Sequence, residues 1–250
     1  MSRRTISLAE IAFTLDHSLL RPELTIKELR EGCDLAMQYN CVSVCVRPSD
    51  LHIVTESLRG SKVLSTTVIA FPHGTATSES KFYEISDAVS KGAVEVDMVM
   101  NYARFLSGEF DYVEDEISRA AETAHKDNAL IKIIFENHYL DKDQIIHCCK
   151  ICKKANVDFV KTSTGYAPTG SKISDLITMV RHSHGMKVKA AGGVRTLDDA
   201  LAVIATGTAR IGTRASKEIM EEAKTREKNG ELFIGGTNNG EKNNSLGSGY

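Results

Sequence analysis

DFVKTSTGYAPTGSKISDLITMVRHSHGMKVKAAGGVRT, residues 158–196, holds one complete strand–helix–strand unit. A short β-type run over 158–162 leads through a turn rich in Gly, Ser and Thr. A helical pattern follows over 172–182, and a second β-type run over 186–191 ends at Gly192 and Gly193. A strand, a helix and another strand in so short a span imply parallel strands joined by a crossover helix.

The same alternation extends outward in both directions. Further β-type runs lie at 14–20, 41–46, 62–71, 94–100, 130–135 and 209–212. Helical patterns separate them at 25–39, up to about 58, at 77–91, 110–126, 142–155, 197–205 and 216–228. Eight strands, each followed by a helix, predict an α/β protein with a single (β/α)₈ barrel, a TIM barrel, and the length of 250 residues suits one. An open doubly wound sheet is the alternative, but no G-x-G-x-x-G follows the first strand. Ser7 and Glu10 form an S-x-x-E capping box and predict a short leading helix. The barrel is expected to occupy 1–228, and the Gly-, Asn- and Ser-rich residues 229–250 to form a mobile tail.

Composition narrows the function. A hydrophobic fraction of 42% and a charged fraction of 26% are ordinary for a globular protein. A net charge of -2 gives no electrostatic reason to expect nucleic acid or a membrane surface as partner. No apolar run approaches the length of a membrane span, and the polar N-terminus lacks a signal-peptide core, so a cytoplasmic location is expected. Cys33, Cys41, Cys45, Cys148, Cys149 and Cys152 suit a reducing compartment. The group Cys148, Cys149 and Cys152 lies in a helical pattern without a second finger-like pair, so apolar packing is expected there and no metal.

Catalytic groups of such barrels sit at the C-terminal ends of strands. Three ionisable residues are out of place in buried strands and fall near those ends: Lys161, Lys189 and Asp97. A buried lysine is costly unless paired or neutral. Lys161 therefore reads as an amine nucleophile able to form a Schiff base. Lowering its pKa from ~10.4 to ~7 corresponds to about 5 kcal/mol. Lys189 lies one strand later, and two inward lysines are expected to depress each other's pKa. Lys187 shares that face but lies earlier in the strand. Asp97, on the same face as Glu95, supplies a carboxylate to relay protons. An amine, a tuning cation and a carboxylate are the equipment for making or breaking a C–C bond next to a carbonyl.

An anion site is legible as well. Gly192 and Gly193 follow the seventh strand, Gly212 follows the eighth, and each leads into a helix. Barrels commonly bind phosphate with these two loops. Glycines let backbone N–H groups approach, and helix N-termini favour anions. Arg195 adds positive charge beside the first loop.

Taken together, L-D-H-S-L-L-R-P-E-L-T at 15–25, S-V-C-V-R-P at 43–48, V-I-A-F-P-H-G at 68–74, V-E-V-D-M-V-M-N at 94–101 and I-K-I-I-F-E-N at 131–137 form a recognisable set. With D-F-V-K-T-S-T-G-Y at 158–166, V-K-A-A-G-G-V-R-T at 188–196 and A-R-I-G-T at 209–213, the chain resembles the deoxyribose-phosphate aldolase family over nearly the whole barrel. The resemblance implies reversible cleavage of 2-deoxyribose 5-phosphate to glyceraldehyde 3-phosphate and acetaldehyde, with no metal or other cofactor. It implies Lys161 as the Schiff-base lysine, Lys189 as the lysine that perturbs it, and Asp97 as acid/base partner through water. Asp16 and Cys45 lie in motifs that line the same site, and Thr162, Gly165, Val194 and Thr213 fall in the motifs around substrate and phosphate. Some members end in a tyrosine that reaches the site, a role that would fall to Tyr250. A homo-oligomer, as a dimer, is the expected assembly.

Two departures bear on specificity. Thr213 is followed by Arg214 and Ala215 where the family carries small residues, often serines, and Asn137 follows Glu136 where a threonine is usual. Arg214 would strengthen a phosphate contact or rebuild the pocket for another anion. An aldolase for a different acceptor, an inactive phosphosugar-binding barrel and a phosphosugar isomerase stay open as alternatives.

Overall fold

The computed structural model describes residues 4–235 and residue 246. The chain starts with β1 (Arg4–Thr5) and α1 (Leu8–Ala12), then alternates β2 (Leu15–Leu19), α2 (Ile26–Gln38), β3 (Ser43–Val46), α3 (Leu51–Ser57), β4 (Leu64–Ile69) and α4 (Ser78–Ser90). It continues with β5 (Glu95–Val99), α5 (Tyr102–Leu106), α6 (Phe110–Lys126), β6 (Leu130–Ile134), α7 (Lys142–Lys154), β7 (Phe159–Lys161) and α8 (Ile173–His182). The last elements are β8 (Lys187–Ala191), α9 (Leu197–Ala205), β9 (Arg210–Thr213), α10 (Ser216–Lys228) and β10 (Phe233–Ile234). Strands β2 to β9 form the closed barrel in sequential order, each parallel to the next, and β9 closes on β2. This is the (β/α)₈ barrel expected from the alternation. Among the described residues, no helix is long and apolar enough to cross a membrane.

Side chains alternate between two environments along every barrel strand. Val44, Val46, Val96, Met98, Ile131, Ile133, Val160, Val188, Ala190 and Ile211 face outward into the continuous core beneath the helices. Their in-between neighbours face the barrel axis. There the usual branched apolar filling is replaced by charge: Asp16, Glu95, Asp97, Lys132, Lys161 and Lys189 are all buried.

The helices begin where capping chemistry places them. Ser7 and Glu10 make the expected reciprocal capping box at α1, and Thr25 with Glu28, Asp141 with Gln144 and Thr196 with Asp199 do the same at α2, α7 and α9. Cys148, Cys149 and Cys152 are unpaired and buried on α7.

Two features differ from the sequence expectation. The one-turn helix α5 follows β5, capped by the Asn101 side chain, which accepts from Arg104 N at 3.1 Å. The packed chain also runs past Lys228: Phe233 and Ile234 pair antiparallel with Thr5 and Arg4, and Leu232 and Ile234 are buried. Leu232 to Ile234 are thus held against the body of the fold. Leu246 is buried too, and its N–H donates to Ser171 O at 3.1 Å.

Candidate active site

Register and parity bring the charged strand residues together. Lys161 on β7 is the direct strand partner of Lys189 on β8. Asp97 on β5 is the partner of Lys132 on β6. Asp16 on β2 is the partner of Gly212 on β9 across the closure of the barrel. All point inward, so residues from five strands meet near the axis.

Asp97 is the hub. Its Oδ2 accepts from Lys161 Nζ and from Lys189 Nζ, each at 2.7 Å, and its Oδ1 accepts from Lys132 Nζ at 2.8 Å. Lys189 also donates to Asp16 Oδ2. Burial by itself would push the Asp97 carboxyl up, but Lys132, Lys161 and Lys189 overcome it and hold the group well below the usual carboxylate range. Burial likewise opposes ionisation of Asp16, and Lys189 reverses the balance to hold its pKa down.

The two lysines of the pair are not equivalent. Burial, reinforced by Lys189, pushes the Lys161 amine below the ordinary lysine value despite Asp97. For Lys189, burial acts the same way but Asp16 and Asp97 outweigh it, so its pKa is raised well above that value. Mutual depression, the sequence expectation, is thus corrected: Lys189 is held as an ammonium, and only Lys161 is pushed toward the neutral amine. The reason is Asp16, which touches Lys189 and not Lys161.

Asp16, Cys45, Lys161 and Lys189 line a cleft at the C-terminal end of the barrel. Gly165, Gly192, Gly193 and Val194 line it from the loops after β7 and β8, and Gly212 and Thr213 from the end of β9. Arg195 and Arg214 stand at its exposed rim. Burial pushes the Cys45 thiol up to about 11, so it is an uncharged wall of the site. Lys187 sits at the opposite, exposed end of β8 with Nζ 5.5 Å from the Phe159 ring centroid.

Ligand atoms of Asp16, Cys45 and Asp97 lie within 4.8 Å of one another, a spacing compatible with a metal ion. Lys189 Nζ already binds both carboxylates, so a cation is built into that position.

The anion-binding loops are held by close packing. Gly192 and Gly193 have φ of 81° and 89°, a conformation that L side chains rarely adopt. A Cβ on Gly170 would meet Gly192 O at 2.4 Å, so the two loops touch backbone to backbone. Thr213 Oγ1 donates to Val194 O at 2.7 Å and accepts from Ala215 N at 3.0 Å, tying the β8 and β9 loops. No side chain caps the N-terminus of α10, where Ala215 is the cap residue. Ser216, the next residue, has its Oγ 3.0 Å from His17 Nδ1 on the outer face of β2. Arg214 has no ion-pair partner among the described residues.

Two candidate residues fall elsewhere. Thr162 is not in the cleft: one residue past Lys161, it faces the other way, and its Oγ1 meets Ser171 Oγ at 2.9 Å and accepts from Ala191 N at 3.1 Å. It is a support for the loop rather than a substrate contact. Tyr250 lies outside the described residues.

Sequence reasoning passed over Ser18, Leu20, Thr164 and Ala191, which also line the cleft. Ser18 and Leu20 follow Asp16 at a spacing of two, so strand parity alone would have found them. Glu136 is buried, adopts the left-handed region with φ 58°, and accepts from Thr164 N at 3.2 Å and from Thr164 Oγ1. That contact fixes the loop that carries Gly165. Lys132, fully buried in β6, carries the same local signal as Lys161 and Lys189.

This geometry agrees with the comparisons to known proteins. A family model described as DeoC/LacD family aldolase matches residues 10–216. The chain belongs to that aldolase family. A deoxyribose-phosphate aldolase of Clostridium novyi is 42% identical over 213 residues, spanning 84% of this chain and 95% of the relative. One from Rhodopirellula baltica is 43% identical over 216 residues, spanning 86% and 90%. The solved tetrameric deoxyribose phosphate aldolase of Aeropyrum pernix superposes with a TM-score of 0.82 at 28% identity, covering 88% of this chain and 93% of that one. The match of this aldolase family model takes in every described candidate residue of the cleft, from Asp16 to Arg214.

Proposed function

We propose that this chain is a Schiff-base aldolase that reversibly cleaves 2-deoxyribose 5-phosphate to glyceraldehyde 3-phosphate and acetaldehyde. The observation that carries the reading is the buried Lys161 amine, which opens into the cleft and has a single carboxylate oxygen, shared with the Lys189 ammonium, as its counter-charge. Kinship to proteins of that name supports the substrate.

The neutral Lys161 amine attacks C1 of the open-chain aldehyde, and uptake of one proton with loss of water gives a protonated imine. That cation is an electron sink. A base takes the proton of the C3 hydroxyl, the C2–C3 bond breaks, and its electron pair flows to the imine, leaving glyceraldehyde 3-phosphate and an enamine on Lys161. Protonation of the enamine carbon and addition of water release acetaldehyde and restore the amine. Lys189, Asp97 and Asp16 are the groups positioned to move these protons. Asp16 Oδ1 is buried with no hydrogen-bond partner, and an approaching hydroxyl or water would satisfy it. The 5-phosphate is assigned to the glycine loops, the uncapped N-terminus of α10, Arg195 and Arg214.

Turnover of 2-deoxyribose 5-phosphate, followed by a coupled assay for glyceraldehyde 3-phosphate, tests the reading. A marked preference for this substrate over 2-deoxyribose and carboxylated analogues is expected. Product formation only with another anionic acceptor would reassign the substrate, and binding without turnover would replace the enzyme with a binding protein. Six free cysteines fit a reducing, cytoplasmic setting. A homo-oligomer is proposed as well, and sedimentation separates the expected dimer from the tetramer that the Aeropyrum pernix relative forms.

A further inference from the structure

Beneath the reacting groups the barrel holds a second tier of charge that the mechanism above does not use. Lys132 is fully buried, with Nζ 2.8 Å from Asp97 Oδ1 and 2.5 Å from Glu95 Oε2. Glu95 Oε1 in turn lies 3.0 Å from Arg210 Nη2, and Arg210 is itself buried. An unbroken run of ion pairs thus leads from Arg210 at the lower end of β9 through Glu95, Lys132 and Asp97 to Lys161 and Lys189, and on to Asp16.

The charges of this run do not balance. It contains the cations Lys132, Lys161, Lys189 and Arg210 against the carboxylates Asp16, Glu95 and Asp97. A surplus charge in a dry interior is costly, and a group that can lose a proton does so. Arg210 cannot lose one. Lys189 touches Asp16 and Asp97, and Lys132 touches Glu95 and Asp97. Lys161 touches Asp97 alone, at an oxygen that Lys189 also holds.

We propose that Lys132 is a positioning residue for the reaction: by binding Asp97 from below it creates the one-cation surplus that selects Lys161 as the neutral amine. This assignment rests on the Schiff-base role of Lys161. Two other groups face Lys161 without joining this run of ion pairs. Cys45, from β3, is an uncharged thiol at neutral pH, since burial pushes it up to about 11. Glu136, past the end of β6, makes no ion pair with the run among the described residues, and its carboxylate accepts instead from Thr164 N and Thr164 Oγ1. The directions agree: burial is outweighed by Asp97 and Glu95 at Lys132, whose pKa is raised, while that of Lys161 is lowered.

The test is reductive labelling of the intact protein with acetaldehyde and cyanoborohydride across a pH series, reading the Lys161 peptide by mass spectrometry. Lys132→Met removes a cation and the surplus with it, so the labelling midpoint of Lys161 is expected to move up by about one pH unit, with about tenfold less labelling near neutrality. Glu95→Gln enlarges the surplus and is expected to move the midpoint down. A merely structural role for Lys132 would lower activity without displacing the midpoint. Midpoints unchanged from wild type, or moved in the same direction by both substitutions, would overturn the proposal. If Lys132→Met does not fold, Glu95→Gln decides on its own: a downward shift supports the proposal and an unshifted midpoint overturns it. Absence of 2-deoxyribose 5-phosphate turnover by the wild type would remove the aldolase reading separately, because the labelling does not depend on turnover.

Discussion

Lys161 and Lys189 bind the same atom, Asp97 Oδ2, each at 2.7 Å. One carboxylate oxygen cannot serve as full counter-charge to two buried ammonium groups, and the second carboxylate in reach, Asp16, belongs to Lys189. The pair is therefore asymmetric by construction: Lys189 meets two carboxylates and Lys161 shares one, side by side on neighbouring strands.

The asymmetry predicts a pH profile. Lys161 reacts as the neutral amine, so activity is present above its lowered pKa and is lost as pH falls through it. Lys189→Met removes a neighbouring cation and lets that pKa rise. The acidic limb of kcat/KM should move to higher pH, on top of a loss of about 10²–10⁴-fold in kcat from the missing acid/base partner. A pH series of kcat/KM for wild type and variant checks both.

His17 predicts the acid sensitivity of the fold. Burial lowers its pKa to about 4. The folded state holds His17 neutral while the unfolded chain binds a proton near pH 6.5, so the neutral form contributes stability that is present above about 6.5 and lost as pH falls toward 4. The contribution is about 3 kcal/mol. Urea unfolding at neutral and at mildly acidic pH should show a smaller acid loss in His17→Asn than in wild type.

How far the chain could be read without coordinates follows from what each residue's partner is. Lys161, Lys189 and Asp97 stand out because a charge in a buried strand conflicts with its neighbours, and that signal is local. Lys132 and Arg210 carry the same signal, but their meaning depends on Glu95 and Asp97 across the barrel. The state of Lys189 is illegible locally for the same reason, since it depends on Asp16 near the other end of the chain. Thr162 is a different case: the alternation that turns Lys161 inward turns its neighbour outward, so motif proximity was the wrong guide. The ribbon of Arg4–Thr5 with Phe233–Ile234 joins the two ends of the chain through two-residue strands, too short for any periodicity to show.

A second buried pair predicts stability without chemistry. Lys81 Nζ lies 2.8 Å from Glu116 Oε2 and 3.0 Å from Val99 O, with both side chains fully buried between α4 and α6. Removing one partner strands the other, so Lys81→Met should destabilise by about 3–5 kcal/mol, while Lys81→Met combined with Glu116→Leu should recover much of that loss. Denaturant midpoints of the two variants check the difference.

Arg214 predicts a binding effect. It stands exposed at the rim of the cleft beside the uncapped α10. Arg214→Ser should raise KM for 2-deoxyribose 5-phosphate by about 3–10-fold with kcat nearly unchanged, as expected for loss of a charge-assisted contact made equally throughout the reaction. The reaction with unphosphorylated 2-deoxyribose should be unaffected, and steady-state kinetics on the two substrates makes the comparison.

Trapping the enzyme with acetaldehyde and borohydride, followed by peptide mass spectrometry, asks whether Lys161 is the nucleophile. A reduced two-carbon adduct confined to Lys161, and lost in Lys161→Met, is the predicted result. Folded protein that carries no adduct, or carries it on Lys189 with Lys161 untouched, would contradict the account.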